Sequence, residues 1–417
     1  MFIDRSAAAV PPVIRPSELF LVLVGFFGGT AHDLPSFMYV GGGIGPFDWL
    51  VLALLLRWVL FSPRTLDKRA MRMFAPFFVF AAFAYVGEIC GALRFEGTNA
   101  ASIIAPIRYL SYPTMFFTLV PLVRSERDLK ILFSAYVFGV LALAALAVMR
   151  SPDPSFFFGL PVLYDPNVVG NFVGYALICL GLSFMPRSAT FRIAMLFALF
   201  TFAMFTFSKA SWVLALLGLY INAATMNKWR LAAIIVVAAM ASLAFVDWGH
   251  VLTLATDAID VKLASSVGSD QSGGTFYMRL GYFISSAYAL VQYPLGIGLR
   301  NFPFVNDTYA RALGNLYFPT DSPHTAVGFV CAQAGWVGLA VLAVVFRRVA
   351  SSLRSMYAAR DIGTSSVVAV MLLVSVFFQI EFFTQPFIYL VLAAAIARHI
   401  HSCAGLQETL NQGRAPA

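Results

Sequence analysis

Apolar runs recur along the whole chain, and most of them are long enough to cross the hydrocarbon core of a bilayer, which takes roughly 20 residues as a helix. The sequence is 60% hydrophobic and only 12% charged, with a mean hydropathy of +0.81. A water-soluble globular domain does not need that balance. We therefore expect an all-α polytopic membrane protein.

Hydropathy predicts about twelve spans in a single transmembrane domain, residues 18–402, between two short tails, residues 1–17 and 403–417. The first tail has no cleavage-type pattern, so we interpret it as a cytoplasmic tail and not as a signal peptide. The spans are predicted at residues 18–38, 43–61, 74–93, 101–123, 129–149, 166–185, 191–207, 210–226, 230–247, 324–346, 365–384 and 386–401.

Basic residues are concentrated in alternate loops. Of the 28 Lys and Arg residues, 19 fall on the side that also holds both tails and 7 fall on the other side. The positive-inside rule assigns the larger set to the cytoplasm, so both termini are predicted to be cytoplasmic and the one large loop, about residues 248–323, periplasmic. The net charge of +8 is spread over these short loops, so no nucleic-acid partner is expected.

The tenth span, residues 324–346, begins with a histidine. Ser322 suits the N-cap and Pro323 the first turn, which predicts that His324 lies in the first turn, at the positive end of the helix dipole. Four residues follow one another at steps of four, four and three, and this spacing places them on one helical face: His324, Gly328, Ala332 and Gly335. Small residues mark a face that packs closely on neighbours, so the histidine is predicted to point into the bundle.

The large outer loop contains a predicted helix, residues 275–291, whose apolar stripe suits a position along the membrane surface. Turn-forming residues 293–298 end that helix. Intramembrane charges are costly, and four of them share the outer halves of their spans, which predicts one cavity open to the outside: Asp48, Glu88, Arg108 and Glu381. For Arg108, a buried structural pair with Glu88 is an equal alternative to a role in ligand binding.

Metal and disulfide sites are not expected. The four cysteines are scattered through apolar runs and the C-terminal tail, and the outer regions show no dense carboxylate cluster.

Several short motifs follow one another in a characteristic order, between residues 165 and 345. Asp165-Pro166-Asn167 opens a span, and Ser208-Lys209-Ala210-Ser211-Trp212 joins two spans. The outer loop holds Tyr277-Met278-Arg279 and then Pro294-Leu295-Gly296-Ile297-Gly298, and His324 with Gly335 follows. In this order, and with this layout of spans, the chain resembles the O-antigen ligase and O-antigen polymerase superfamily of bacterial envelopes.

The resemblance implies a C-type glycosyltransferase fold in the bacterial inner membrane. It implies that a glycan is transferred, without metal or other cofactor, from an undecaprenyl-diphosphate-linked oligosaccharide to a hydroxyl of a glycan or lipid A-core acceptor. By position, His324 matches the family histidine and Arg279 an outer-loop arginine, and both are predicted to be catalytic. The predicted substrate-binding residues are Lys209, which stands where the family prefers arginine, Arg300, Arg311, Arg108 and Asn167.

Glycan transfer from a lipid diphosphate requires residues of these types. A diphosphate leaving group needs cations around its developing charge, which Arg279 and Lys209 would supply, and neutral His324 would accept the proton of the attacking hydroxyl. In the alternative interpretation His324 only caps the helix or faces water, and Arg279 only contacts anionic lipid headgroups. Lys209 then only marks the end of a short loop, and Asn167 belongs to a helix-packing face.

Two other functions remain open from the sequence. A transporter or flippase for polysaccharide or lipid-linked oligosaccharide predicts internal repeats and helices broken near mid-membrane. No convincing repeat is found, and polar residues collect in the outer half, which favours the enzyme. A structural partner of other envelope polysaccharide assembly proteins predicts no dependence on His324.

Overall fold

A computed structural model of the chain describes residues 15–30, 45–61, 68–95, 111–150, 166–181, 189–205, 209–225, 275–298, 301–312, 323, 325–358 and 390. Within these ranges the secondary structure is helical and contains no strand. The helices are α1 (Pro16–Thr30), α2 (Pro46–Phe61), α3 (Lys68–Arg94), α4 (Met115–Leu119), α5 (Glu126–Arg150), α6 (Pro166–Gly181), α7 (Ala189–Phe205), α8 (Lys209–Thr225), α9 (Thr275–Gln292), α10 (Phe302–Ala312) and α11 (Ala326–Ala358).

Three of the described helices contain a stretch long and apolar enough to cross a membrane: Ala75–Arg94 in α3, Arg127–Leu146 in α5 and Ala326–Arg348 in α11. This confirms a helical membrane protein. The spans predicted at residues 230–247, 365–384 and 386–401 lie outside the described residues, apart from Leu390, so the count of twelve stays a prediction.

The fourth predicted span, residues 101–123, is not one continuous helix over its described part. A 3-10 turn, Tyr112–Thr114, leads into the five residues of α4, and turns follow up to Leu122. Pro113 is consistent with this change in hydrogen bonding, since proline donates no backbone hydrogen bond.

Close helix pairs are built on glycine. α1 packs along α5, where a Cβ on Gly25 or Gly29 would collide with the α5 backbone at Leu132 and Tyr136. α6 packs along α8 in the same way, because Gly174 leaves room only for the side chain of Leu214. Small residues let membrane helices approach closely and gain van der Waals contact.

The ends of α1 and α5 on the predicted cytoplasmic side are joined by a charge pair. Arg127 Nε lies 3.1 Å from Glu18 Oε1, and the Glu18 side chain is only 3% exposed whereas that of Arg127 is 53% exposed. Glu18 also accepts a hydrogen bond from the backbone amide of Arg15, which caps α1. This pair holds the buried carboxylate of α1 against the start of α5.

Candidate functional site

The start of α11 is capped by a threonine. Thr325 Oγ1 accepts a hydrogen bond from the backbone amide of Gly328 at 3.1 Å, and Phe329 donates the first helical bond to the Thr325 carbonyl. Thr325 is therefore the N-cap, and the predicted capping by Ser322 with Pro323 in the first turn is wrong. In sequence, His324 comes before the cap and not in the first turn.

The small-residue face of α11 packs closely on a neighbour, as predicted from the sequence, and the structure identifies that neighbour as the outer loop. A Cβ on Gly328 would lie 2.8 Å from Ser286 Oγ of α9, and the Ala332 carbonyl accepts a hydrogen bond from the Ile297 amide at 2.7 Å. Gly335 continues the same face and touches Pro294. These contacts confirm that the face meets a neighbour and not lipid.

α11 is broken at Gly335, whose φ of 57° and ψ of −139° are not helical. In a regular helix the Trp336 amide would bond to the Ala332 carbonyl. Here the Trp336 amide donates instead to the Pro294 carbonyl at 3.0 Å. The Ala332 carbonyl accepts its hydrogen bond from the Ile297 amide. A segment of the outer loop is thus inserted into the hydrogen-bond ladder of a membrane helix.

Residues 294–298, which we call the insert, are shaped for this position. A turn closes when the Gly296 amide donates to the Tyr293 carbonyl at 2.8 Å, and Pro294 suits the second position of such a turn. Gly296 and Gly298 have φ of 90° and 76°, which side chains with a Cβ rarely adopt. The predicted turn chemistry is confirmed, whereas the insertion was not anticipated.

α9 and α11 run in the same direction. Ser286 of α9 contacts Gly328 of α11, and further along both segments the insert contacts Gly335. The insert begins eight residues after Ser286, and Gly335 lies seven residues after Gly328. The second half of α9 therefore descends beside α11 for about 10 Å, at 1.5 Å per residue. The predicted helix is confirmed as Thr275–Gln292, but this half follows α11 and not the membrane surface, because Ser286 is small enough to pack on Gly328.

α10 returns beside α9 and completes a hairpin. Buried Ser285 donates a hydrogen bond to Asn306 Oδ1 at 2.9 Å, which ties the two helices. At the tip of the hairpin Asn301 donates to the Ile297 carbonyl at 2.7 Å, so the insert is bonded from both sides.

Beneath the insert lies a buried polar pair. Gln333 Nε2 of α11 donates to Glu88 Oε1 of α3 at 3.3 Å, and the two residues are 0% and 5% exposed. A Cβ on Gly298 would collide with the Glu88 carboxylate, and one on Gly87 would collide with the Gln333 carbonyl. Three segments, namely α3, α11 and the insert, therefore meet at Glu88 and Gln333.

One cation on the predicted outer side has a described side chain. The guanidinium carbon of Arg94 lies 4.7 Å from the centre of the Tyr293 ring, and Arg94 is exposed. Phe95 stacks on Phe304 of α10 with ring centres 5.6 Å apart. The sequence interpretation did not select Arg94, although its place at the outer end of an apolar run was a usable signal.

The predicted site residues divide into two groups. His324, Arg300 and Arg108 lie outside the described residues. Four others lie on described helices, although the structure does not describe their side chains: Arg279 on α9, Lys209 on α8, Arg311 on α10 and Asn167 on α6. By helical spacing Arg279 shares a face of α9 with Tyr282 and Ser286, both buried.

Two of the predicted intramembrane charges have described hydrogen bonds, each to a different partner. Asp48 accepts hydrogen bonds from the Gly45 amide at 2.8 Å and from the Tyr112 hydroxyl at 2.9 Å, so it caps α2 and ties it to the segment before α4. Glu88 bonds to Gln333. Arg108 and Glu381 lie outside the described residues, so the single outer cavity stays a prediction.

On α6 the described residues after Asn167 are packed, but the side chain of Asn167 is not described, so the choice between helix packing and substrate binding stays a prediction. Gly174 packs on Leu214, and residues 170–180 are all buried. Asn171 is 1% exposed.

Possible ligands for a metal are sparse in the described part of the chain. No three His, Cys, Asp or Glu side chains converge there, and Cys90, Cys179 and Cys331 are free thiols.

Comparison of the sequence with known protein families finds no match, and comparison with curated proteins finds none.

Proposed function

We propose that this membrane protein is a glycosyltransferase that moves a glycan from an undecaprenyl-diphosphate-linked donor to an acceptor hydroxyl at the periplasmic face. The reaction is of the O-antigen polymerase or ligase type and needs no metal. The acceptor is a second glycan or a lipid A core.

The observation that carries the proposal is the parallel pairing of α9 and α11. Ser286 and Gly328 are in contact, and the residues four positions earlier are Tyr282 and His324. Arg279 lies three further positions before Tyr282 on the same face of α9, about one helical turn outward. The pairing thus supports an approach between position 279 and the residue that precedes the α11 cap, which is what a shared site requires.

The roles follow from charge and basicity. Arg279 and Lys209 bind the diphosphate and stabilise the charge that develops as it leaves. An arginine suits this task because its planar fork bonds two phosphate oxygens at once. His324, in its neutral form, accepts the proton of the attacking hydroxyl. Arg94 is a further outer-side cation, held over Tyr293, that lies beside the hairpin.

The broken helix favours a second candidate function, a flippase for the same lipid-linked oligosaccharide. Gly335 lies nine residues below the start of α11, about 14 Å at helical rise and so near mid-membrane. Discontinuous helices at that depth are common in transporters. In transporters, however, the freed backbone groups line a substrate cavity, whereas here the Trp336 amide and the Ala332 carbonyl bond to the insert.

The test uses purified protein in vesicles with a lipid-linked oligosaccharide. Growth of a glycan ladder on the lipid identifies a polymerase, and transfer to a lipid A core identifies a ligase. Movement of the donor across the bilayer without transfer to any acceptor would replace the enzyme by the flippase.

A further inference from the structure

Glu88 and Gln333 occupy the junction that holds the outer hairpin in place. Glu88 belongs to α3 and Gln333 to α11, two residues before the break at Gly335. The Glu88 carboxylate underlies Gly298, and the Gln333 carbonyl is covered by Gly87 and Gly296.

Packing alone does not require this pair. Both residues are at least 95% buried among apolar helices, and Gln333 Oε1 has no hydrogen-bond partner in the described part of the chain. Two apolar side chains of similar volume would fill the space without the cost of desolvating an amide and a carboxyl group. Buried polar groups of this kind can select one arrangement where apolar ones would allow several.

We infer that Glu88 and Gln333 are positioning residues that fix the insert against the break in α11 and so set the register of α9 on α11. This inference rests on the proposed function, because the register determines where Arg279 lies relative to His324. Neither Glu88 nor Gln333 touches the substrate. Both act through the backbone of the insert, and α9 carries the effect to the outer surface.

The register can be measured without any reaction. Ser286→Cys with Gly328→Cys, in a chain whose four native cysteines are replaced, reports the approach of α9 to α11 as the rate of disulfide formation. Gln333→Leu removes the hydrogen bond at nearly constant volume. The exchange variant, Glu88→Gln with Gln333→Glu, restores an amide and a carboxyl group in reversed positions. Gln292→Leu makes the same chemical change on the exposed side of α9 and is the matched control.

Gln333→Leu is expected to slow disulfide formation and to lower kcat by about tenfold or more with a smaller change in KM, because small misplacements of reacting groups cost rate. The exchange variant recovers most of both losses, and Gln292→Leu changes neither. If the leucine variant does not fold, Gln333→Asn, which shortens the side chain by one methylene, is expected to show the same losses. Glu88→Gln keeps an acceptor oxygen and is expected to lose less than Gln333→Leu.

Two results would overturn the inference: wild-type cross-linking and transfer in Gln333→Leu, or an exchange variant as impaired as the single one. A protein that never transfers glycan, but whose cross-linking depends on Gln333, would refute the proposed function alone and leave the positioning role standing.

Discussion

The backbone amide of Trp336 donates its hydrogen bond to the carbonyl oxygen of Pro294, 3.0 Å away, although the two residues belong to different elements of the chain. The bond replaces one that α11 would otherwise make within itself. Together with the bond from the Ile297 amide to the Ala332 carbonyl, it satisfies backbone groups at the helix break. Without these bonds the groups would be unpaired in a lipid environment, at a high cost in free energy. The insert is therefore part of the membrane domain and not a peripheral loop.

The parallel register of α9 and α11 predicts a disulfide. A Cβ on Gly328 would lie 2.8 Å from Ser286 Oγ, so cysteines at these positions come within reach of a bond that needs Cβ atoms about 3.8 Å apart. Ser286→Cys with Gly328→Cys should cross-link rapidly on mild oxidation, measured as the loss of free thiol in intact membranes.

The control for this cross-link lies on the opposite face of α9. Tyr288 is 45% exposed and two residues beyond Ser286, about 200° around the helix. Tyr288→Cys with Gly328→Cys should stay reduced under the same oxidant. Equal cross-linking of both pairs would mean that α9 is not held in one register.

Gly335→Ala should destabilise the protein by about 2 kcal/mol or more. At a φ of 57° and a ψ of −139°, close to a region that essentially only glycine adopts, a side chain costs about 1–3 kcal/mol, and here its Cβ would also collide with the Pro294 carbonyl. The measurement is thermal unfolding in detergent. Ala340→Gly, at an exposed position five residues on, should cost no more than about 1 kcal/mol. Equal losses in the two variants would contradict a specific role for the conformation of Gly335.

The sequence predicted the outline of this region but not its connections. The small face of α11 follows from residue spacing, and the turn at residues 293–298 follows from proline and glycine content. The N-cap did not, because Ser322 and Thr325 are both good caps and local sequence cannot choose between them. The hydroxyl that bonds to Gly328 belongs to Thr325.

One partner of Glu88 could not be predicted either. The described hydrogen bond comes from Gln333, which is 245 positions away. A pair with Arg108, which lies outside the described residues, stays a prediction. An uncharged amide inside an apolar run gives no sign of which span it will face. The signal that was present, the single glutamine of α11, becomes specific only once three segments are seen to meet there.

Arg127→Ala should destabilise the protein by about 1 kcal/mol, because it leaves the buried Glu18 carboxylate with less compensation while the exposed arginine is partly screened. Adding Glu18→Gln removes the buried charge and should recover part of the loss. Arg124→Ala is the nearby control, since the Arg124 side chain is exposed and its described hydrogen bond goes to the Pro121 carbonyl and not to a carboxylate. Additive losses in the double variant would show that the pair is not coupled.

The proposed chemistry depends most on one cation, Arg279, and one base, His324. Arg279→Ala and His324→Ala should abolish glycan transfer while membrane insertion stays intact. The first variant removes the cation that stabilises the leaving diphosphate, and the second removes the acceptor of the hydroxyl proton. Arg347→Ala removes an exposed cation at the predicted cytoplasmic end of α11 and should leave transfer unchanged.

Lys209 tests whether charge alone is enough. If it binds the diphosphate as a point charge, Lys209→Ala should lower kcat/KM for the donor, and Lys209→Arg should match or exceed the wild type, since the guanidinium adds a second parallel hydrogen bond. A lysine that only marks a loop end predicts wild-type kinetics for both variants. A loss in Lys209→Arg as large as in Lys209→Ala would mean that the position is limited by space and not by charge, and the diphosphate would then have to be bound by arginines alone.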